Sequence, residues 1–202
     1  MSFVVTLASW KGGVGKSTLA VHLAGCLARR DKRVVLLDED ERVGSGARWA
    51  SRGETLGFEV LRPEDVKPKK LRNVDFVVID TPGRGGLRKL RETLKRTDVL
   101  LVPTGPWVTE LDATRSMVEA LRPHAEFEKV SCVIARAPAV GGAGKRARDA
   151  LSREGVSVAS TIIRAYNAYL TAAERGCLAC DVRGGASAWS DVSALTSELF
   201  SA

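Results

Sequence analysis

The stretch Ala8-Ser9-Trp10-Lys11-Gly12-Gly13-Val14-Gly15-Lys16-Ser17-Thr18 decides the fold. The apolar run "FVVTLAS" (3 to 9) leads into it. "KSTLAVHLAGCLARR" leaves it as a helix expected to begin at Ser17, with Leu19, Leu23, Cys26 and Leu27 on one side. A glycine-rich turn between strand and helix presents consecutive backbone N–H groups, aided by the helix N-terminus, to a chain of phosphates. Gly12, Gly13 and Gly15, with Val14 among them, permit the turn and a close approach. Lys16 is then placed to neutralise the β and γ phosphates, Ser17 to ligate Mg²⁺ and Thr18 to hydrogen-bond the α phosphate. The usual pattern G-x-x-x-x-G-K-[ST] is broken at its first position, where Trp10 stands, and Lys11 adds a second cation.

Outward from this loop, "RVVLLD" (33 to 38), "VDFVVID" (74 to 80), "DVLLVPT" (98 to 104) and "KVSCVIA" (129 to 135) are continuously apolar, as strands buried on both faces are. "TELDATRSMVEALRPH" between the last two gathers Leu111, Met117, Val118 and Leu121 on one helix face. This alternation predicts an α/β, three-layer P-loop NTPase fold with a mainly parallel twisted sheet flanked by helices. "GFEVLRP" and "VSVASTII" are expected as further strands, 187 to 200 as a closing helix, and "RPEDVKPKKLRN" (62 to 73) as a surface connection. At 202 residues, a single domain over 1–202 suffices.

Composition is globular, with 45% hydrophobic and 27% charged residues. Thirty-one Lys and Arg against 24 Asp and Glu leave a net charge of +7, which suits an anionic partner such as nucleic acid or equally keeps the chain soluble. Four scattered cysteines and no leader before the first strand predict a reducing cytoplasm. No apolar run reaches the roughly 18 residues that span a bilayer.

The acids complete a site. "VVIDTPG" ends an apolar strand in Asp80, where one carboxylate can hold magnesium, and Thr81-Pro82-Gly83 follows as a segment able to sense a γ phosphate. After the second strand, "LLDEDERVGSGARWA" offers Asp38 to the metal's outer shell and Asp40 to position or activate water, with Glu39 and Glu41 expected to face solvent.

Lys11-Gly12-Gly13-Val14-Gly15-Lys16-Ser17 resembles the deviant Walker A motif K-G-G-x-G-K-[ST] of the ParA/MinD ATPases, in which the first glycine is dispensable. The likeness runs on through "LLDEDERVGSGARWA", "VVIDTPG", "TDVLLVPTGPWVTELDAT" and "STIIRAYNAYLTAAERG", the last as in small plasmid-partition ParA proteins. It implies ATP and Mg²⁺ as cofactors, and a homodimer in which Lys11 reaches the partner subunit's nucleotide. It implies, too, nonspecific DNA binding by the ATP-bound dimer, and hydrolysis stimulated by a ParB-like centromere-binding protein during plasmid or chromosome segregation. The chain opens at its first strand, so the winged-helix extension of larger members is expected to be missing. Two positions depart from the family: Glu41-Arg42 replaces Pro-Gln, and Ala135-Arg136 stands where an adenine-reading asparagine is frequent.

For DNA, Arg164 matches a contacting arginine of chromosomal relatives, although a second such position is Asn167. Arg84, Arg88, Arg91 and Lys95 share a helical stripe opposite Leu87, Leu90 and Leu94, which is either a phosphate-following surface or a solvated helix face. Lys145, Arg146 and Arg148 form another basic group. Against a membrane-cycling role, the tail "SDVSALTSELFSA" carries no lysine or arginine. Cys177 and Cys180 admit an iron–sulfur carrier, against which "CLACDV" reads as a short core strand. A metabolic enzyme phosphorylating a carboxylate would share the loop without needing Lys11. His22, on the first helix's flank, and His124, in a loop, have no neighbours that suggest chemistry. The favoured reading is an ATP-dependent partition switch, with nucleoid-dependent positioning of a protein cargo as the alternative.

Overall fold

A computed structural model describes residues 2–41, 43–53, 56–83 and 86–200. The elements are β1 (Phe3–Leu7), α1 (Lys16–Ala28), β2 (Val34–Asp38), α2 (Ser45–Ala50), β3 (Glu59–Leu61), β4 (Phe76–Asp80), α3 (Leu87–Lys95), β5 (Val99–Thr104), α4 (Val108–Leu121), β6 (Val130–Ile134), α5 (Ala143–Arg153), α6 (Asn167–Arg175) and α7 (Ala186–Phe200). Six strands in the order β3-β2-β4-β1-β5-β6 form the sheet, every pairing parallel. The connection 62–73 contains two short 3₁₀ turns, Pro63–Asp65 and Pro68–Leu71.

The continuous apolar runs become strands covered on both faces, so two cores result. One joins α1, α2, α6 and α7 to the sheet and the other joins α3, α4 and α5 to its opposite face. Each fully buried leucine, such as Leu23 or Leu101, contributes roughly 1.5–3 kcal/mol. α1 is not the one-sided helix its pattern suggested: every residue from Leu19 to Leu27 is buried, because α7 covers the side away from the sheet. Gly25 lets Leu178, just before the Ala179–Asp181 turn, pack against α1, since a Cβ there would lie 2.6 Å from the leucine.

Two expected strands are absent among the described residues. The segment 156–163 touches β6 only through a bridge at Val158 and scattered hydrogen bonds such as Ala159 N–H to the Cys132 carbonyl (2.8 Å). "CLACDV" is a 3₁₀ turn, Ala179–Asp181, bent by the Asp181 carboxylate accepting the Leu178 N–H (3.2 Å).

His22, expected on a flank, lies fully buried between Trp49 and Tyr169, with ring centroids 5.4 and 5.0 Å away and both rings edge-on. Its Nε2 accepts the Ala179 N–H (3.1 Å), which requires Nδ1 to carry the proton donated to the Thr18 carbonyl (2.7 Å). Burial lowers its pKa to about 4. The depressed value means that the unfolded chain takes up a proton first as pH falls, so stability present above about pH 6.5 is lost toward pH 4. Between pH 7 and 5 this linkage amounts to about 2 kcal/mol. Denaturant unfolding of His22→Gln should show a correspondingly weaker loss over that interval, and an identical pH dependence in both proteins would contradict the assignment.

Candidate functional site

The site forms at the carboxyl edge of the sheet between β1 and β4, where α1 and α3 leave to opposite faces. Gly13 and Gly15 hold φ of 79° and 92°, left-handed values that reverse the chain into α1. The buried Val14 side chain anchors the loop. The N-cap residue of α1, Gly15, has no side chain to cap the helix, which among the described residues leaves its first N–H groups to a ligand. Beside them runs a groove of about 960 Å³, whose lining includes Gly12, Gly13, Gly15, Lys16, Ser17, Thr18, Asp40, Pro82 and Gly83.

Asp80 is 1% exposed, and neither carboxylate oxygen has a hydrogen-bond partner among the described residues. Burial pushes its pKa up to about 7. The Ser17 hydroxyl and Lys16 lie near enough to oppose that shift, without a hydrogen bond of normal geometry, while Asp38 and Asp40 reinforce it. An unpartnered buried carboxylate beside a hydroxyl is the oxygen donor set a hard divalent cation takes. These residues therefore fit Mg²⁺, with Asp80 and Ser17 as the groups that would hold it.

Asp38 stands opposite Asp80 across β2 and β4. Its carboxylate accepts the N–H groups of Asp40 (3.1 Å) and Ala47 (3.0 Å), which folds the following loop onto α2. Asp40 accepts the Val43 N–H (3.0 Å) and lines the groove; Arg42 lies outside the described residues. Glu41 is exposed, as expected. Glu39 is not. Its N–H bonds the Asp80 carbonyl (2.9 Å), and its side chain, 9% exposed, turns to Arg96 just beyond α3 (2.6 Å). Thr81 is tied to the Leu7 carbonyl through its hydroxyl (2.8 Å).

Lys11 is not among the described residues lining the groove. Its ammonium donates to the Thr109 hydroxyl in the first turn of α4 (3.1 Å). Trp10, where a glycine is usual, packs into the core on the α3 and α4 side of the sheet, beside Leu90, Thr93 and Met117. Two arginines also reach the site, of which the sequence marked only Arg136, as a departure at the adenine-reading position. Arg48 lines the groove from α2, and Arg136 donates to the Gly13 carbonyl (2.5 Å).

The expected DNA-binding residues divide. Arg88, Arg91 and Lys95 are exposed on α3 while Leu90 and Leu94 are buried; Arg88 pairs with Glu92 (3.2 Å), and Arg84 lies outside the described residues. Arg164 is not a free surface cation. Its guanidinium grips Asp191 (3.0 and 2.5 Å) and lies over the Tyr166 ring, tying the segment before α6 to α7. Arg148 is likewise held by Asp149 (2.8 Å) and the Ser160 carbonyl (3.0 Å), while Lys145 and Arg146 are exposed. Burial raises the Cys177 thiol pKa and pushes that of Cys180 up to about 11, with Asp181 adding to both shifts, so their surroundings do not favour thiolates. No described helix is long and apolar enough to cross a membrane.

The CobQ/CobB/MinD/ParA nucleotide binding domain matches residues 5–177. The maintenance of carboxysome distribution protein A of Gloeobacter kilaueensis is 33% identical over 190 residues, 90% of this chain and 85% of that protein. Among solved structures, apo McdA from Cyanothece superposes with a TM-score of 0.76 at 15% identity, covering 99% of this chain and 100% of the other. The septum site-determining protein MinD of Pyrococcus horikoshii, complexed with Mg-ADP, gives 0.74 at 16% identity, covering 98% and 96%. These structural likenesses show the fold.

Asp80→Asn removes an uncompensated buried charge and a cation ligand together. The nucleotide-free variant should unfold at least about 3 °C higher at pH 8, yet lose the Mg²⁺-dependent part of its stabilisation by ATP in thermal denaturation. A lower Tm with that increment intact would contradict this account.

Proposed function

Since the chain belongs to the CobQ/CobB/MinD/ParA nucleotide-binding family, we propose that it is an ATPase whose ATP-bound form pairs two copies and holds nonspecific DNA. The loop N–H groups and Lys16 bind the β and γ phosphates, and Ser17 and Asp80 hold Mg²⁺, which when bound neutralises phosphate charge. Thr18 takes the α phosphate, and Asp38 fixes the loop that carries Asp40. Asp40 orients a water for attack on the γ phosphorus: the new P–O bond forms as the bond to ADP breaks. Lys11 completes the charge around the triphosphate of the second copy, so association depends on which nucleotide is bound.

The observation that carries this reading is the direction of Lys11, whose ammonium rests on α4 rather than among the groove residues of its own chain. Exposed Arg91 and Lys95, doubled by pairing, supply a phosphate-following surface for DNA. A partner of the ParB kind would stimulate turnover and release. The extended similarity to a carboxysome distribution protein favours a protein assembly as cargo over a plasmid or chromosome.

DNA binding followed over a salt series with ATP, ADP or no nucleotide tests the switch. Tight binding should require ATP, weaken steeply with salt, and fall by at least about tenfold in Lys11→Ala, which is about 1.4 kcal/mol. Equal binding without nucleotide, unchanged by that substitution, would reject the reading.

A further inference from the structure

We propose that Arg136 is a nucleotide-positioning residue, which sets the orientation of the Gly13–Val14 peptide and so aims the Val14 N–H at the phosphates. The proposal rests on the nucleotide-binding reading above.

β6 ends at Ile134, and Ala135 extends its pairing through an N–H bond to the Thr104 carbonyl (2.7 Å). Arg136 then adopts φ 55°, a left-handed conformation that a non-glycine residue takes at a cost. From that backbone its guanidinium Nη1 donates to the Gly13 carbonyl (2.5 Å) and lies 3.5 Å from a carboxylate oxygen of Glu110. Glu110 is buried in the first turn of α4, and its other carboxylate oxygen has no partner among the described residues. A buried anion therefore stands behind the cation that grips the loop, and a charge-assisted bond of this kind is stronger than a neutral one.

The consequence follows from peptide geometry. In a trans peptide the C=O and N–H point in opposite directions. Holding the Gly13 carbonyl toward Arg136 turns the Val14 N–H away from it, and that N–H makes no hydrogen bond among the described residues. The methylene stem of Arg136 runs beside Gly15, where an added Cβ would lie 3.5 Å from both Cγ and Cδ. Gly15, Thr18 and Arg136 are also shared with an adjoining cleft of about 310 Å³, whose walls include Leu19, Ile163 and Tyr166. A ligand with phosphates in the groove and a ring in the cleft passes Arg136 between them.

Calorimetric titration with Mg-ATP tests the assignment on wild type, Arg136→Asn and Arg136→Lys. Asparagine tolerates the left-handed backbone but cannot span to Gly13, whereas lysine restores a cation with comparable reach. The Kd should rise about tenfold in Arg136→Asn and return to within about threefold of wild type in Arg136→Lys. Wild-type affinity in Arg136→Asn, or a loss that lysine does not relieve, would overturn the proposal. Failure of the wild-type chain to bind Mg-ATP would instead overturn the nucleotide-binding reading on which it rests.

Discussion

Parallel pairing of β1 with β4 sets Leu7 opposite Asp80, and pairing of β4 with β2 sets Asp80 opposite Asp38. Three strand ends thus deliver a phosphate-binding loop and two carboxylates to one edge of the sheet. A slip of one residue in either register would turn an aspartate to the opposite face. The two-sided apolar cores fix the register, since Val78 and Leu36 are fully buried. The same cores exclude water from Asp80, whose carboxylate has no hydrogen-bond partner among the described residues and suits a cation in that place.

The first turn of α4 organises the charges on the other side of the loop. Thr109 receives Lys11 and Glu110 backs Arg136, so consecutive residues handle two cations that flank Gly12 and Gly13. Trp107 and Val108, immediately before them, are exposed. Among the described residues Lys11 is held by an exposed hydrogen bond to a neutral hydroxyl, an attachment that can be exchanged for a phosphate. Arg136 is held by a buried acid and a carbonyl, which suits a fixed support. His22 joins this loop to the far core through Thr18, with Trp49, Tyr169 and Ala179 around it.

The layered α/β fold was legible because five strands were uninterrupted apolar runs and the glycine loop fixed the β1–α1 turn. Asp80 was legible because it ends such a run. Local pattern could not reveal what distant chain supplies: α1 looked amphipathic until α7 covered its outer side, and Glu39 looked solvated until Arg96 met it. "CLACDV" has strand-like composition, but the Asp181 carboxylate on the Leu178 N–H turns it into a 3₁₀ bend. Arg164 matches a DNA-contacting arginine in sequence, while its ion pair with Asp191, twenty-seven residues away, could not be read from local pattern. Arg136 was visible as a departure from family pattern, while its grip on Gly13 depends on β6 ending beside the loop.

A buried Asp80 with no hydrogen-bond partner among the described residues, and a glycine loop that leads directly into α1, together suit a magnesium-bound triphosphate. Calorimetry of ATP binding to the wild-type chain, with Mg²⁺ and then with the metal chelated, tests it most directly. The account predicts one ATP per chain, bound at least about tenfold more tightly when Mg²⁺ is present, a difference of about 1.4 kcal/mol. Equal affinity in both conditions, or no binding in either, would contradict it.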